Sequence, residues 1–190
     1  MKKILCVLLL FLTGCSSKTS MIEIQKHVYV EKEFKDSWLE TNEFGDSYIK
    51  EELQGGYHYH FDQQFLEIFF NSGGKIELYN YSIKKNDLII SGEMIPPKTI
   101  RLVHPHLDNV TSEGVIIHEL GHYFDEKHQF SSSKQFTELY KKHRTLFNQK
   151  TKKEYFAECF KEYVGGHQEK VKPFHSYMKT ITQKIRQKNK

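Results

Sequence analysis

The stretch "VIIHELGHYFDEKH", residues 115–128, constrains this chain more than any other, because it sets the pattern H-E-x-x-H inside a run that is otherwise largely apolar. An α-helix turns once in about 3.6 residues, so side chains four apart stand nearly over one another. If the run is helical, His118 and His122 can grip a single ion, while Ile116, Ile117, Leu120 and Phe124 form an apolar stripe on the opposite side. A core histidine would share the face of Leu120, and a solvent histidine would need no glutamate beside it in so apolar a helix. Glu119 falls where H-E-x-x-H chemistry places its general base. Asn109 or Thr111 is expected to cap this helix near 112, with Glu113 in its first turn.

Two histidines leave a tetrahedral ion short of ligands, since a catalytic site takes about three from the protein and keeps one position for water. His128 lies beyond the second histidine without a glycine turn to bring it back, and reads as a helix-end residue favoured by the helix dipole. His58 and His60 of "YHYH" alternate on a β-like stretch and read as surface residues of a strand. The better candidate is "KKEYFAECFKEYV", 152–164. Its Phe156, Cys159, Phe160 and Tyr163 form one stripe, and Glu154 and Glu158, four apart, share the other face. One carboxylate would bind the metal and the other would hold a histidine's second nitrogen. Spacing alone does not say which does which. A helix over 133–147, with Phe136, Leu139, Tyr140, His143, Leu146 and Phe147 on one side, brings this segment back against the first helix.

The preceding chain reads as a small sheet with a helix. "IEIQKHVYV" (22–30) alternates as a strand, 36–60 carries no clear pattern, and Phe61, Phe65, Ile68 and Phe69 have helical spacing ended by Gly73 or Gly74. "KIELYNYSI", "DLIISGEM" and "KTIRLVHP" read as further short strands, the last two parted by Pro96 and Pro97. Sheet first and helices after it imply an α+β fold: a small mixed sheet with an edge strand, packed on a helical subdomain. With 190 residues and no visible repeat, residues 22–190 are read as a single domain.

The first fourteen residues stand apart from that domain. Lys2 and Lys3 precede the apolar "ILCVLLLFL", which is too short to span a bilayer and reads as a cleaved export signal. "LTGC" at 12–15 resembles the lipobox of bacterial lipoproteins. By that resemblance Cys15 is the lipidated N-terminus, residues 15–21 are a tether, and the protein is anchored to the outer side of a bacterial cell membrane. Cys6 leaves with the signal, so Cys159 has no intrachain partner and reads as a buried structural thiol. Without Lys2 and Lys3 the chain holds 26 basic and 24 acidic side chains, +2, a balance that gives no footing for nucleic acid. The basic excess lies in 167–190, where Phe174, Tyr177, Met178, Ile181 and Ile185 follow a helical spacing from Pro173, as expected for a docked helix with a solvated basic face.

"HELGHYFD" followed by "EYFAECF" resembles the zinc peptidases related to the catalytic domain of anthrax lethal factor and to the clostridial Pro-Pro endopeptidases. The resemblance is firmest over 110–164. It implies a gluzincin-like arrangement with one zinc ion, His118, His122 and Glu154 as ligands, Glu119 as the base and Glu158 behind a ligand histidine. It also gives Asp125 a structural place at the helix end. Where the family often carries an oxyanion-stabilising tyrosine, seven residues before the ligand glutamate, this chain has Phe147, so either another group such as Tyr140 serves, or the chain is displaced there, or activity is impaired.

These expectations describe a membrane-anchored, monomeric zinc endopeptidase acting on an extended peptide laid along "TIRLVHP" as the edge strand. Two other readings compete with it. One is a zinc-binding surface lipoprotein that binds a partner without turnover, favoured by Phe147. The other is a structural lipoprotein with no metal.

Overall fold

The computed structural model describes residues 20–41, 47–85, 88–104, 113–149 and 151–188. The segment read as an export signal, Cys15, Asn109 and Thr111 lie outside the described residues. The fold is α+β, with a five-stranded mixed sheet and seven α-helices among the described residues.

Strands β1 (Met21–Gln25) and β2 (Val28–Glu31) form an antiparallel hairpin, which corrects the single strand expected over 22–30. Lys26 and His27 make the turn. His27 takes a left-handed φ of 67°, and its N–H donates to the Glu23 carboxylate at 2.7 Å. Val28 lies four positions after Ile24, an even offset, so hydrophobic alternation keeps its phase through the reversal and conceals it.

The unread region 36–60 holds two short helices, α1 (Lys35–Leu39) and α2 (Tyr48–Gln54), and Trp38 of the first is fully buried. His58 and His60 lie in irregular chain rather than on a strand. Next, α3 (Gln64–Asn71) buries Phe65, Leu66, Ile68 and Phe69 and ends at Ser72, with Gly73 in the left-handed region at φ 85°. It leads directly into β3 (Lys75–Tyr79). A small hairpin, β4 (Ile83–Lys85) with β5 (Leu88–Ile90), then precedes β6 (Gly92–Ile95) and β7 (Thr99–Val103).

The strand order is β1-β2-β3-β7-β6; β2, β3 and β7 run parallel and β6 runs antiparallel to β7. This order corrects an expectation, because the strand of "TIRLVHP" lies inside the sheet and β6 forms the edge. Val28, Val30, Ile76, Leu78, Ile100 and Leu102 are fully buried on the core face. On the other face Glu77 receives Lys75 (2.6 Å) and Arg101 (3.3 Å), and Arg101 also reaches Glu93 (3.3 Å), a ladder of opposite charges across three strands.

The remaining helices are α4 (Val115–His128), α5 (Lys134–His143), α6 (Lys152–Val164) and α7 (His175–Gln187). Helix α5 stops at His143, short of the expected 147, and the irregular stretch after it places Phe147 against Tyr155, with ring centroids 5.3 Å apart. Helix α7 buries Tyr177, Met178, Ile181 and Ile185 while Lys179, Lys184 and Lys188 stay exposed, as a docked helix with a basic outer face should. No described helix is long and apolar enough to cross a membrane.

Candidate metal centre

Helix α4 begins later than the sequence suggests. Its cap is Gly114, at φ 73°, and Glu113 precedes the helix instead of lying in its first turn, where it pairs with His58. The glycine is needed for its conformation and for its lack of a side chain: a Cβ there would lie 2.9 Å from Lys161 Cδ and 2.9 Å from the Tyr59 ring. Beyond it Ile116, Ile117, Leu120 and Phe124 are fully buried, whereas the His118 and His122 side chains are 17% and 19% exposed. At the far end Asp125 is structural, as expected: its carboxylate accepts the Ser131 N–H (2.6 Å) and hydroxyl (2.7 Å). His128 ends the helix and packs its ring at a tilt against Phe130.

Helix α6 supplies the carboxylates. Thr151 caps it by accepting the Glu154 N–H at 3.2 Å, which sets Glu154 in the first turn facing α4. The two helices touch at Gly121, where a Cβ would lie 2.9 Å from Ala157 Cα. A glycine between the two histidines, next to His122, therefore lets the carboxylate helix come close enough to meet them. Helix α6 is buried on more than one side. Tyr155 is fully buried and Tyr163 only partly, the reverse of their places in the expected stripe. Cys159 is a buried free thiol whose pKa burial pushes up.

The outcome is a triangle of ligand atoms. His118 Nε2, His122 Nε2 and Glu154 Oε2 are each 3.2 Å from the other two. An ion with N and O ligands at about 2.0–2.1 Å in a tetrahedron separates those ligands by roughly 3.3–3.4 Å. The residues therefore fit a metal ion, and among the described residues no other group of three or more possible ligands does so. Two ring nitrogens and a carboxylate oxygen facing one another at this distance need a cation or a proton at their centre, because all three present lone pairs. Glu158 does not join the triangle. It sits behind it, with Oε2 3.2 Å from His118 Nδ1 and Oε1 2.6 Å from Lys161 Nζ.

Electrostatics follow the same layout. Burial alone would pull the His118 imidazolium down, but hydrogen bonds to Glu154 and Glu158 outweigh it and push the pKa up to about 9. The two histidines hold the Glu154 carboxyl far below the usual carboxylate range. Burial pushes the Glu119 carboxyl up, with the nearby histidines opposing it.

Glu119 is only 6% exposed and meets the edge strand. Val103 N–H donates to the Ser91 carbonyl at 2.8 Å, so by antiparallel alternation Ser91, Glu93 and Ile95 turn their backbone groups toward β7. Gly92 and Met94 turn theirs to the open edge, and Met94 N–H donates to the Glu119 carboxylate. Edge strand, helix α4 and the segment after α5 enclose a cavity of about 940 Å³ that His118, Glu119, His122 and Glu154 all line. Its other wall carries Asn148 and Gln149. Tyr140 is not on it: like Phe147 it packs on Tyr155, at 5.1 Å between ring centroids, which removes it as the stand-in for the missing tyrosine.

Sequence reasoning missed Met94, which acts through its backbone and leaves no side-chain signal, and Lys161, whose i, i+3 spacing from Glu158 is a readable one. The chain matches no protein-family model. No curated protein matches it either.

Proposed function

We propose that the chain is a gluzincin-like zinc endopeptidase, a single catalytic domain tethered through Cys15 to the extracytoplasmic face of a bacterial membrane. The observation that carries this reading is the 3.2 Å triangle of His118, His122 and Glu154, with Glu119 beside it under an open strand edge. A donor set of two imidazoles and one carboxylate is one that catalytic zinc uses. Bound there, zinc would lower the pKa of a water molecule toward about 7 and polarise a carbonyl.

The chain's own residues would do the rest. A peptide in extended form pairs with the free backbone groups of Gly92 on β6, which replaces β7 as the proposed docking strand. Glu119, raised by burial, takes the proton of the attacking water and passes it to the leaving amine. Met94 N–H keeps that carboxylate aimed at the cavity. Glu158 accepts from His118 Nδ1 and so turns the Nε2 lone pair toward the ion. The protein acts as a monomer on protein substrates, with no role for nucleic acid.

Purified protein should contain about one zinc per chain and cleave members of a random peptide library; Glu119→Gln should keep the zinc and abolish cleavage. Cleavage at an undiminished rate in that variant would remove Glu119 from the role of base. One observation favours a second reading, a zinc-bound surface protein without turnover: neither Phe147 nor Tyr140 presents a group to the cavity. Zinc uptake with no cleavage of any library peptide would select it.

A further inference from the structure

We propose that Lys161 is a positioning residue of the metal centre, whose ammonium fixes the Glu158 carboxylate so that Glu158 in turn orients the His118 ring. The inference rests on the reading that His118, His122 and Glu154 hold an ion.

Glu158 is held from both sides: Oε2 lies 3.2 Å from His118 Nδ1 and Oε1 lies 2.6 Å from Lys161 Nζ. A carboxylate on a flexible two-carbon arm, tied only to a ring N–H, can rotate away; a second tie on the opposite oxygen leaves it one orientation. The pair is not an ordinary one on a solvated helix face, where such contacts contribute little. The side chains are 16% and 14% exposed, and removing the cation would leave Oε1 of a largely buried carboxylate without its partner.

Two surroundings show that Lys161 is directed at Glu158. Its stem crosses the bare backbone of Gly114, where a Cβ would come within 2.9 Å of Lys161 Cδ, so the cap of the histidine helix makes room for it. The other acid within reach, Glu162 at 3.7 Å, is already held at 3.0 Å by each of the Tyr59 hydroxyl, His167 Nδ1 and Lys170 Nζ. Glu158 has no such alternatives among the described residues. Glu154, Glu158 and Lys161 thus occupy positions i, i+4 and i+7 of one helix face, as ligand, ring holder and anchor of the ring holder.

The test is zinc affinity of the full chain, measured by competition with a chromophoric chelator, with zinc alone as the probe. Partners behind metal ligands typically account for about 10–100-fold in affinity. Lys161→Met should weaken zinc binding about tenfold or more. Lys161→Arg, which keeps charge and donor, should restore most of it. Lys161→Met combined with Glu158→Gln should bind no more weakly than Glu158→Gln alone, because the lysine acts only through that carboxylate. Affinity unchanged in Lys161→Met while Glu158→Gln is weakened, or losses that add in the double variant, would overturn the assignment. If circular dichroism shows Lys161→Met unfolded, Lys161→Gln takes its place with the same expected outcomes. Wild-type protein that takes up no zinc would overturn the metal reading itself and the assignment with it.

Discussion

Replacing Gly121 with alanine should loosen the protein and its metal centre together. In most helix interiors this change is favourable, by about 0.8–1.0 kcal/mol. Here the new Cβ would lie 2.9 Å from Ala157 Cα, 3.2 Å from Phe160 Cβ and 3.3 Å from Ala157 Cβ. Carbon atoms rest at about 3.5–4.0 Å, so α4 and α6 must part by roughly 0.6–1 Å. Overpacking of that kind costs about 1–3 kcal/mol, which equals or exceeds the propensity gain, and the net expectation is a loss of up to about 2 kcal/mol. The same displacement acts on the ligand triangle, since His118 and His122 flank Gly121 and Glu154 lies one turn before Ala157. Metal–ligand distances tolerate only about ±0.2 Å. Glu154 can recover part of the shift by changing rotamer, so the affinity loss should resemble that of losing an outer partner, about 10–100-fold. Urea unfolding of chelator-stripped protein reads the first effect and zinc competition reads the second. A higher unfolding midpoint with unaltered zinc affinity would show that close approach at Gly121 does not position the carboxylate helix.

Two further outcomes follow from titration and burial. His118 carries its proton up to about pH 9 in the metal-free protein, so zinc must displace that proton. Apparent zinc affinity should climb as pH rises from 6.5 toward 9, by up to about tenfold per unit, with one proton released per zinc in a lightly buffered calorimeter cell. Affinity independent of pH over this window would contradict the protonated His118. The sign for stability is opposite: a folded pKa raised above the ordinary value stabilises the metal-free fold fully below about pH 6.5, and that contribution is lost as pH passes 9. Cys159 is fully buried with its thiol pKa pushed up by burial, so Ellman's reagent should label it only as fast as the protein unfolds. Immediate labelling in buffer would place the thiol at the surface.

What the sequence disclosed of the fold depended on how local each signal was. The class was legible because, α3 apart, the sheet-like periodicities come before the helix-like ones along the chain. Helices α3 and α7 have enough turns to show their stripes, and Phe65, Phe69, Tyr177 and Ile181 are buried as those stripes require. Helices α1 and α2 span only five and seven residues, too few turns for a period to stand out, although Trp38 among them is fully buried. Strand order carries no local signal at all. The edge was assigned to β7, but β3 pairs with it on one side and β6 on the other, a non-local outcome that strand composition does not record.

The metal centre divides in the same way. His118, Glu119 and His122 were readable because a helix turns an i, i+4 spacing into a geometry. That Glu154 and not Glu158 meets the Nε2 atoms of both histidines came only from a family resemblance, and in the structure it depends on the contact at Gly121, made between residues far apart in sequence. Helix α6 also shows why a one-stripe reading of a central helix fails. Tyr155, Phe156, Ala157, Cys159, Phe160 and Val164 are buried around much of its circumference, so apolar residues no longer mark one face. The informative pattern there is its inverse, a narrow polar strip in an otherwise buried helix, because a buried charge persists only where something pairs with it. Glu154, Glu158 and Lys161 form that strip at i, i+4 and i+7, and each has a partner within 3.2 Å. Followed to its end, the spacing that pointed to two carboxylates points to the lysine as well.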